Sequence, residues 1–442
     1  MIADDTLRRW FSRHTVALTG DLIRVFLWAL VVVGWLFYVQ PYLKTWRQIH
    51  TATGANDFTI FYESAKAVAD GRSMYEVPSL RGTATANTSM NLNPPHFNML
   101  LRPLASLPYG QAFIMWSALN VFALVTSVAI IVRTLNIAIT PSRLAAWGVL
   151  VIASTPFTST AATAEWSFIL LLPFTIAWSC TKHDRWHYAG WWLGCCMSLK
   201  LFFLLFLPWL VLRGRWRSAA WAIVAMLVWT SAGLLWSGPG SYLQWVLTLG
   251  SVEWWWHPMN ASWQGFVWRL LRGGGAIAGG FAAEDLARPI SVAGAALISA
   301  VSLWAASRLS RTSDSTDAGI LVLLCGSLLA SPLGWVYYVP LALGPLVAVL
   351  WTRWWQRVDR FWLGTAAIAI VGLYVPLENV RVGQPSAWAS ITVTSSYFWG
   401  LFLLWLTLVN VARIESAGPA LADRRPDAVP VCGCRQQGGA NT

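Results

Sequence analysis

Two ionisable side chains of this 442-residue chain lie where a charge is either costly or useful. Asp57 stands at the head of the segment ANDFTIFYESAKAVADGRSMY, whose apolar residues recur at helical spacing. The N-terminus of a helix stabilises an anion, which favours a general base or a metal ligand over a proton donor. Lys200 lies inside the apolar run 188–212, where a cation indicates function and a lipid phosphate is its natural partner. The simpler interpretations are an N-cap for Asp57 and a snorkelling lysine for Lys200.

Three further residues are weaker candidates for a substrate site. Glu165 opens an apolar segment on the predicted external side, and His257 lies in WWWHP, where it can pair with a substrate hydroxyl or a phosphate. Arg269, in ASWQGFVWRLLRGGG, belongs to the residue type that binds phosphate through paired hydrogen bonds. Each also has a simpler interpretation, respectively an interface carboxylate, a histidine in an aromatic cluster and an arginine on anionic lipid headgroups.

Sequence motifs for several other chemistries are missing. The chain has no GxxxxGK[ST], no GxGxxG after a strand, no HExxH and no GxSxG, so ATP-driven transport and nicotinamide chemistry have no support. His, Cys and carboxylate residues do not occur at metal-ligand spacing, so we expect no metal and no cofactor. The six scattered cysteines are interpreted as reduced thiols without a structural role. Short RWR-type runs do not indicate nucleic acid as a partner.

The composition of the chain indicates that these residues are held in a membrane protein. Hydrophobic residues make up 56% of the chain and charged residues 11%, whereas a soluble protein has roughly 25% charged residues. The net charge of +12 fits an excess of Lys and Arg in cytoplasmic loops. The 31 Trp residues fit anchoring at the bilayer interface. We therefore predict an all-α, polytopic membrane protein.

Membrane-spanning helices need about 20 apolar residues. They are predicted at 22–40, 111–133, 144–160, 167–181, 218–236, 287–307, 317–330, 333–351, 361–377 and 391–412. The run 188–212 has basic residues at both ends, so it is interpreted as two short helical arms with a turn near Ser198–Lys200 that places Lys200 in a wet cavity. With these arms the chain makes about twelve passes, and basic residues place both termini in the cytoplasm.

The membrane domain is predicted to cover residues 1–412, followed by a disordered cytoplasmic tail at 413–442. Its first external loop, 41–110, carries an amphipathic helix that begins at Asn56 or Asp57 and ends at Gly71. We expect this helix to lie on the membrane surface. A second external loop, 237–286, carries a short interfacial helix with Arg269.

The segment from Asp57 to Tyr75, with Asp-Phe, further aromatic residues, a small-residue helix and G-x-x-x-Y, resembles the start of the GT87 glycosyltransferases. These are membrane enzymes of the GT-C class and include mycobacterial phosphatidylinositol-mannoside mannosyltransferases. Further similar elements follow in order over about residues 55–340: Asn93-Pro94-Pro95, Arg102-Pro103-Leu104, Leu107-Pro108, Trp116 to Asn120, Leu199-Lys200 before RGRWR, Asn260-Ala261-Ser262 with Gly265 and Arg269, and Ser331-Pro332 with Trp335.

The resemblance implies a GT-C-type helical bundle that transfers a sugar from a polyprenyl-phosphate donor to a glycan or glycolipid acceptor. Transfer would occur at the external face of the plasma membrane with inversion at the anomeric carbon. The sugar is usually mannose and sometimes arabinofuranose in related enzymes. Asp57 matches the carboxylate base of the first external loop. Lys200 and Arg269 are then assigned to the donor phosphate.

Two positions depart from the family's pattern. Glu165-Trp166 stands where a Gly-Gln pair is frequent, and Tyr337 with Tyr338 stands where histidines often follow the S-P-x-x-W element. These departures bear on the acceptor and on the sugar. The residues assigned to substrate binding are His257, Glu165, Asn260 and Tyr337.

Two other functional classes compete with the transferase. A flippase or transporter for a lipid-linked sugar would share the polytopic fold and the intramembrane cation, but it predicts paired interrupted spans in two repeated halves. The sequence contains one such run, at 188–212, and no second copy. A non-catalytic scaffold or membrane sensor would leave Asp57 and Lys200 without a shared pocket.

Overall fold

The computed structural model describes residues 28, 29, 32, 56–76, 90–143, 148, 154–252, 255–273, 282–309, 313–351, 358–374 and 387–416. Within these ranges the regular structure is helical, and the β-type pairing is limited to one isolated bridge between Asn260 and Trp335. The fold class predicted from composition, an all-α membrane protein, is confirmed at this level.

The described residues contain sixteen α-helices. Their bounds are α1 Asp57–Ala69, α2 Pro95–Ala105, α3 Tyr109–Thr134, α4 Thr155–Thr163, α5 Ser167–Lys182, α6 Trp186–Leu199, α7 Phe206–Leu212, α8 Trp216–Ser237, α9 Pro239–Gly250, α10 Trp263–Gly273, α11 Ala282–Arg308, α12 Ser313–Ala330, α13 Leu343–Trp351, α14 Arg360–Tyr374, α15 Ala387–Ile391 and α16 Ser396–Ser416. Three 3₁₀ segments join them at Leu201–Leu205, Val336–Ala342 and Val393–Ser395.

Four helical segments in the described ranges are long and apolar enough to cross a membrane: Tyr109–Thr134, Trp216–Ser237, Asp285–Arg308 and Trp388–Arg413. Five shorter apolar helical segments accompany them, at Ser167–Lys182, Leu201–Leu212, Ser315–Ala330, Val336–Trp351 and Arg360–Leu373. The predicted number of about twelve passes is therefore not confirmed. The predicted span 22–40 and the predicted tail 413–442 lie almost wholly outside the described residues, and residues 413–416 of that tail belong to α16. The predicted span 144–160 overlaps α4, which is nine residues long and runs from Thr155 to Thr163.

The interrupted run at 188–212 has the predicted form. Helix α6 ends at Leu199, Lys200 has an extended backbone (φ −139°, ψ 115°), and a 3₁₀ segment then leads into α7. Gly190 and Gly194 allow α6 to pack directly on the backbone of α8, because a Cβ at either position would overlap a carbonyl group of that helix. This close contact fixes the position of α6 against α8.

Helix α1 differs from the prediction in what covers its apolar face. Asn56 is the N-cap, since its Oδ1 accepts a hydrogen bond from the Thr59 amide at 2.9 Å. Phe58 packs on Trp116 of α3 with ring centroids 5.4 Å apart, and Phe61 packs on Phe97 of α2 at 5.2 Å. The predicted position on the membrane surface is therefore wrong for this face, because protein covers it. Apolar residues at helical spacing form one apolar face, and this pattern is the same whether lipid or other helices cover that face.

Candidate active site

Asp57 is the first residue of α1, and its partly buried carboxyl group meets side chains from two distant segments. Glu165, Lys200 and Thr163 lie close enough to influence its ionisation. The Asn56 cap places the carboxylate beside the unpaired N–H groups of the first turn, where a negative charge is stabilised. The first carboxylate and the lysine singled out in the sequence thus share one site.

Glu165 reaches this site because the chain reverses after α4. Ala164 has a left-handed backbone (φ +53°), and its carbonyl oxygen accepts a hydrogen bond from Trp116 Nε1 at 2.8 Å. Glu165 follows with only 3% of its surface exposed. Its Oε1 accepts a hydrogen bond from the Tyr338 hydroxyl at 3.4 Å. The side chain that entered as a substrate-binding candidate therefore contacts the carboxyl group of Asp57.

Lys200 presents its ammonium group through the break between α6 and the following 3₁₀ segment. Its Nζ donates a hydrogen bond to Asn93 Oδ1 at 2.9 Å. It also lies 5.0 Å from the ring centroid of Trp166 and 5.2 Å from that of Tyr338, within cation–π range. Asn93 is held in turn by Tyr75, whose hydroxyl donates to its carbonyl oxygen at 2.9 Å. The cation is therefore positioned by an amide and two ring faces.

Burial dominates the electrostatics of the carboxyl pair. It raises the pKa of Asp57 to about 6, although contacts with Glu165, Lys200 and Thr163 act in the opposite direction. Burial, followed by the neighbouring Asp57 charge, raises the pKa of Glu165 well above its usual range. Both shifts favour the protonated form, and the shift is larger for the more deeply buried Glu165, so Asp57 is the carboxyl group that ionises more readily. One carboxylate is left to act as a base beside a fixed cation.

Asn260 lies in a second cluster, where its side chain joins two loops. Its Nδ2 donates to the carbonyl oxygens of Trp255 and Pro332, both at 3.0 Å. Its Oδ1 accepts from the amides of Ser262 at 3.2 Å and Gly334 at 3.0 Å. These four bonds use the full capacity of the amide. Asn260 thus ties the N-x-S segment to the S-P-x-x-W segment, and its substrate-binding role stays a prediction.

Arg269 of α10 is buried next to Asn260, with 5% of its surface exposed. Its Nε donates to Ser395 Oγ at 2.9 Å, and its Nη1 donates to the carbonyl oxygens of His257 at 2.9 Å and Asn260 at 3.0 Å. Among the described residues Nη2 has no hydrogen-bond partner. Burial lowers the pKa of Arg269 to about 9. Part of the guanidinium is thus structural, and one nitrogen is left for an anion.

His257 and Tyr337 lie on either side of Trp335. The His257 ring meets the Trp335 ring at 5.5 Å, and Tyr337 stacks on the Trp335 ring at 5.6 Å. His257 Nδ1 accepts the Met259 amide at 3.2 Å, and burial, then the charge of Arg269, lowers its pKa. Tyr337 also contacts Tyr338, with centroids 4.9 Å apart. An aromatic row therefore runs from Arg269 and His257 towards the carboxyl pair.

The sequence model of glycosyltransferase family 87 matches residues 91–332, more than half of the chain. The chain belongs to glycosyltransferase family 87. It is 26% identical over 406 residues to a polyprenol-phosphate-mannose-dependent alpha-(1-2)-phosphatidylinositol mannoside mannosyltransferase of Mycobacterium tuberculosis. The aligned region covers 86% of this chain and 88% of the relative. No solved structure gives a significant match. Together with its apolar helices, this makes the protein a membrane-bound glycosyltransferase.

Four residues around the acid and the lysine of this family 87 enzyme received no role from sequence reasoning: Asn93, Thr163, Trp166 and Tyr338. Asn93 and Tyr338 belong to segments that carry the family resemblance. The sequence signal for Asn93 was its place in the Asn93-Pro94-Pro95 motif, directly before the start of α2. Thr163 carries no comparable signal, because the sequence does not show that the end of α4 lies near Asp57. Among the described residues of the enzyme, no three His, Cys, Asp or Glu side chains are grouped so that they could hold a metal ion.

Proposed function

We propose that this protein is an inverting glycosyltransferase that takes mannose from a polyprenyl-phosphate donor and passes it to a glycan or glycolipid hydroxyl. The observation that carries the proposal is the meeting of Asp57 with Lys200 at one site. The family match supports glycosyl transfer, and the named mycobacterial relative supports a lipid-linked mannose donor. An arabinofuranose donor of the same type is the alternative sugar.

Asp57 is proposed as the general base. Its carboxylate accepts the proton of the acceptor hydroxyl while that oxygen attacks C1 of the donor sugar from the face opposite the phosphate. A positioned base of this kind contributes about 10²–10⁴-fold. A single base suffices because the phosphate leaves without being protonated, whereas a retaining glycosidase uses a close pair as nucleophile and acid.

Lys200 is proposed to stabilise the leaving phosphate. The bond from C1 to the phosphate oxygen breaks, and the lipid phosphate changes from a diester with one negative charge to a monoester with a second, developing charge. A preformed cation in a site of low dielectric stabilises that charge without reorganising. Arg269, through its unpartnered Nη2, is the second candidate for a phosphate oxygen. No metal or cofactor is required, and the lipid-linked sugar acts as co-substrate.

The proposed location is the external face of the plasma membrane, with both termini in the cytoplasm. A lipid-linked donor reaches the enzyme within the bilayer, so a site at an interface fits the chemistry. Asp57 lies on α1, outside the four helical segments that are long enough to span, and this position supports an interfacial site.

The function is tested with purified protein in liposomes that contain radiolabelled polyprenyl-phosphate-mannose and a glycolipid extract. We expect a labelled product that depends on the protein, and we expect Asp57→Asn to fold normally and to abolish its formation. Transport of label between leaflets without a product would instead identify a flippase. Product formation by Asp57→Asn at the wild-type rate would remove the base assignment.

A further inference from the structure

The site contains two carboxyl groups and one ammonium group, and its charges balance only when one carboxyl group is protonated. Asp57 and Glu165 contact each other, and Lys200 interacts with both. Two ionised carboxylates cannot form a hydrogen bond with each other, because each would offer only acceptors. The contact therefore contains a proton, and the position of that proton decides which carboxylate acts as the base.

The surroundings of the two groups differ and place the proton on Glu165. Glu165 is 3% exposed, whereas Asp57 is partly exposed at a helix N-terminus, where N–H groups stabilise an anion. One Glu165 oxygen accepts the Tyr338 hydroxyl, which leaves the other to carry the proton and donate to Asp57. The buried side chain is thus the neutral one.

We propose that Glu165 is a positioning residue that keeps its proton throughout the reaction and donates a hydrogen bond that orients the Asp57 carboxylate towards the acceptor hydroxyl. This inference rests on the proposed function. In the transfer step the acceptor proton moves to the free oxygen of Asp57, and the sugar moves to the acceptor oxygen. The electron pair of the broken bond stays on the lipid phosphate. The carboxyl pair then holds two protons, and Asp57 returns one to water when the products leave.

The titratable and charged groups that face the pair are Lys200, Tyr337 and Tyr338. Lys200 favours ionisation of both carboxyl groups, and the two tyrosines come from the 3₁₀ segment Val336–Ala342. Loss of the proton from Glu165 would leave two negative charges against one positive charge. We therefore expect transfer to decline again at alkaline pH, when that proton is lost.

The test compares Glu165→Gln with Glu165→Leu in the full-length protein, with kcat/KM measured across pH. Gln keeps an N–H donor towards Asp57 and a carbonyl acceptor for Tyr338, but it cannot ionise. Leu has a similar volume and offers neither. We expect Gln to retain at least about a tenth of the wild-type kcat/KM and to lose the alkaline decline. We expect Leu to lose about tenfold or more and to shift the acid limb upward by about one pH unit, since a hydrogen bond to a charged group has been removed.

Two results would overturn the inference. One is a Gln variant as inactive as Asp57→Asn, which would make Glu165 a proton-transferring group. The other is a Leu variant with the wild-type rate and pH profile, which would leave Glu165 without influence on Asp57. Thermal denaturation of both variants in detergent checks that they fold. Wild-type protein that forms no product would refute the proposed function itself, so the two failures are distinguishable.

Discussion

Replacing Lys200 by methionine tests the proposed phosphate site most directly. Methionine keeps most of the length of the side chain and its packing between Trp166 and Tyr338, but it removes the charge and the hydrogen bond to Asn93. We expect both weaker donor binding and slower transfer. The donor carries one negative charge in the ground state, and a second develops as its bond to the sugar breaks.

The size of the effect follows from the position of the ammonium group. Lys200 is partly buried, so an effective dielectric constant of about 20 is appropriate. At about 4 Å from a phosphate oxygen, one unit charge then contributes about 4 kcal/mol. Each 1.36 kcal/mol corresponds to about tenfold, so we expect kcat/KM to fall by about 10²–10³-fold.

The assay measures transfer from radiolabelled polyprenyl-phosphate-mannose at several donor concentrations and at pH 8. Removing the cation raises the pKa of Asp57, and the alkaline buffer keeps that base ionised in the variant. Lys66→Met is the matched control, because Lys66 lies exposed on the same helix as Asp57 and also loses one positive charge. Unchanged KM and kcat in Lys200→Met, with normal folding, would refute the phosphate assignment.

Three other predictions use the same preparation. Burial raises the pKa of Asp57 to about 6, and the ionised form is the base, so kcat/KM should fall about tenfold per unit as pH decreases below 6; a rate independent of pH between 5 and 8 would contradict this. Asp317→Asn removes the partner of Lys182, whose Nζ lies 2.8 Å from Asp317 Oδ2, and should lower stability by roughly 2 kcal/mol because Lys182 keeps some exposure. Thermal denaturation measures this loss, and an unchanged midpoint would show that the ion pair contributes nothing net. Chelation with EDTA should leave transfer intact, because in the proposed site Lys200 takes the place of a metal ion at the phosphate; loss of activity that Mg²⁺ or Mn²⁺ restores would contradict this.

The part of the fold that sequence predicted well depends on local patterns. Helical spacing predicted α1, and basic residues at both ends of 188–212 predicted the break that the structure places at Lys200. The number of membrane passes was harder to predict from sequence. Hydropathy identifies apolar segments, yet several of these are shorter than a full span, such as Ser167–Lys182 and Ser315–Ala330.

The part of the site that sequence missed depends on contacts between distant segments. Asp57 and Lys200 were recognisable one by one, because each is an ionisable group in an unusual place. Glu165 was underrated because a carboxylate at the start of an apolar segment is common, and only the reversal at Ala164 directs it to Asp57. The sequence motif around Asn260 likewise does not reveal that its amide makes four hydrogen bonds within the protein.

The contact between α6 and α8 limits how a lipid can enter. At Gly190 and Gly194 the two backbones touch with no space for even one added carbon atom. An isoprenoid tail is wider than that gap, so this seam is closed to lateral diffusion from the bilayer. For the proposed donor site at Lys200, the hydrocarbon portal must therefore open on another flank of the bundle.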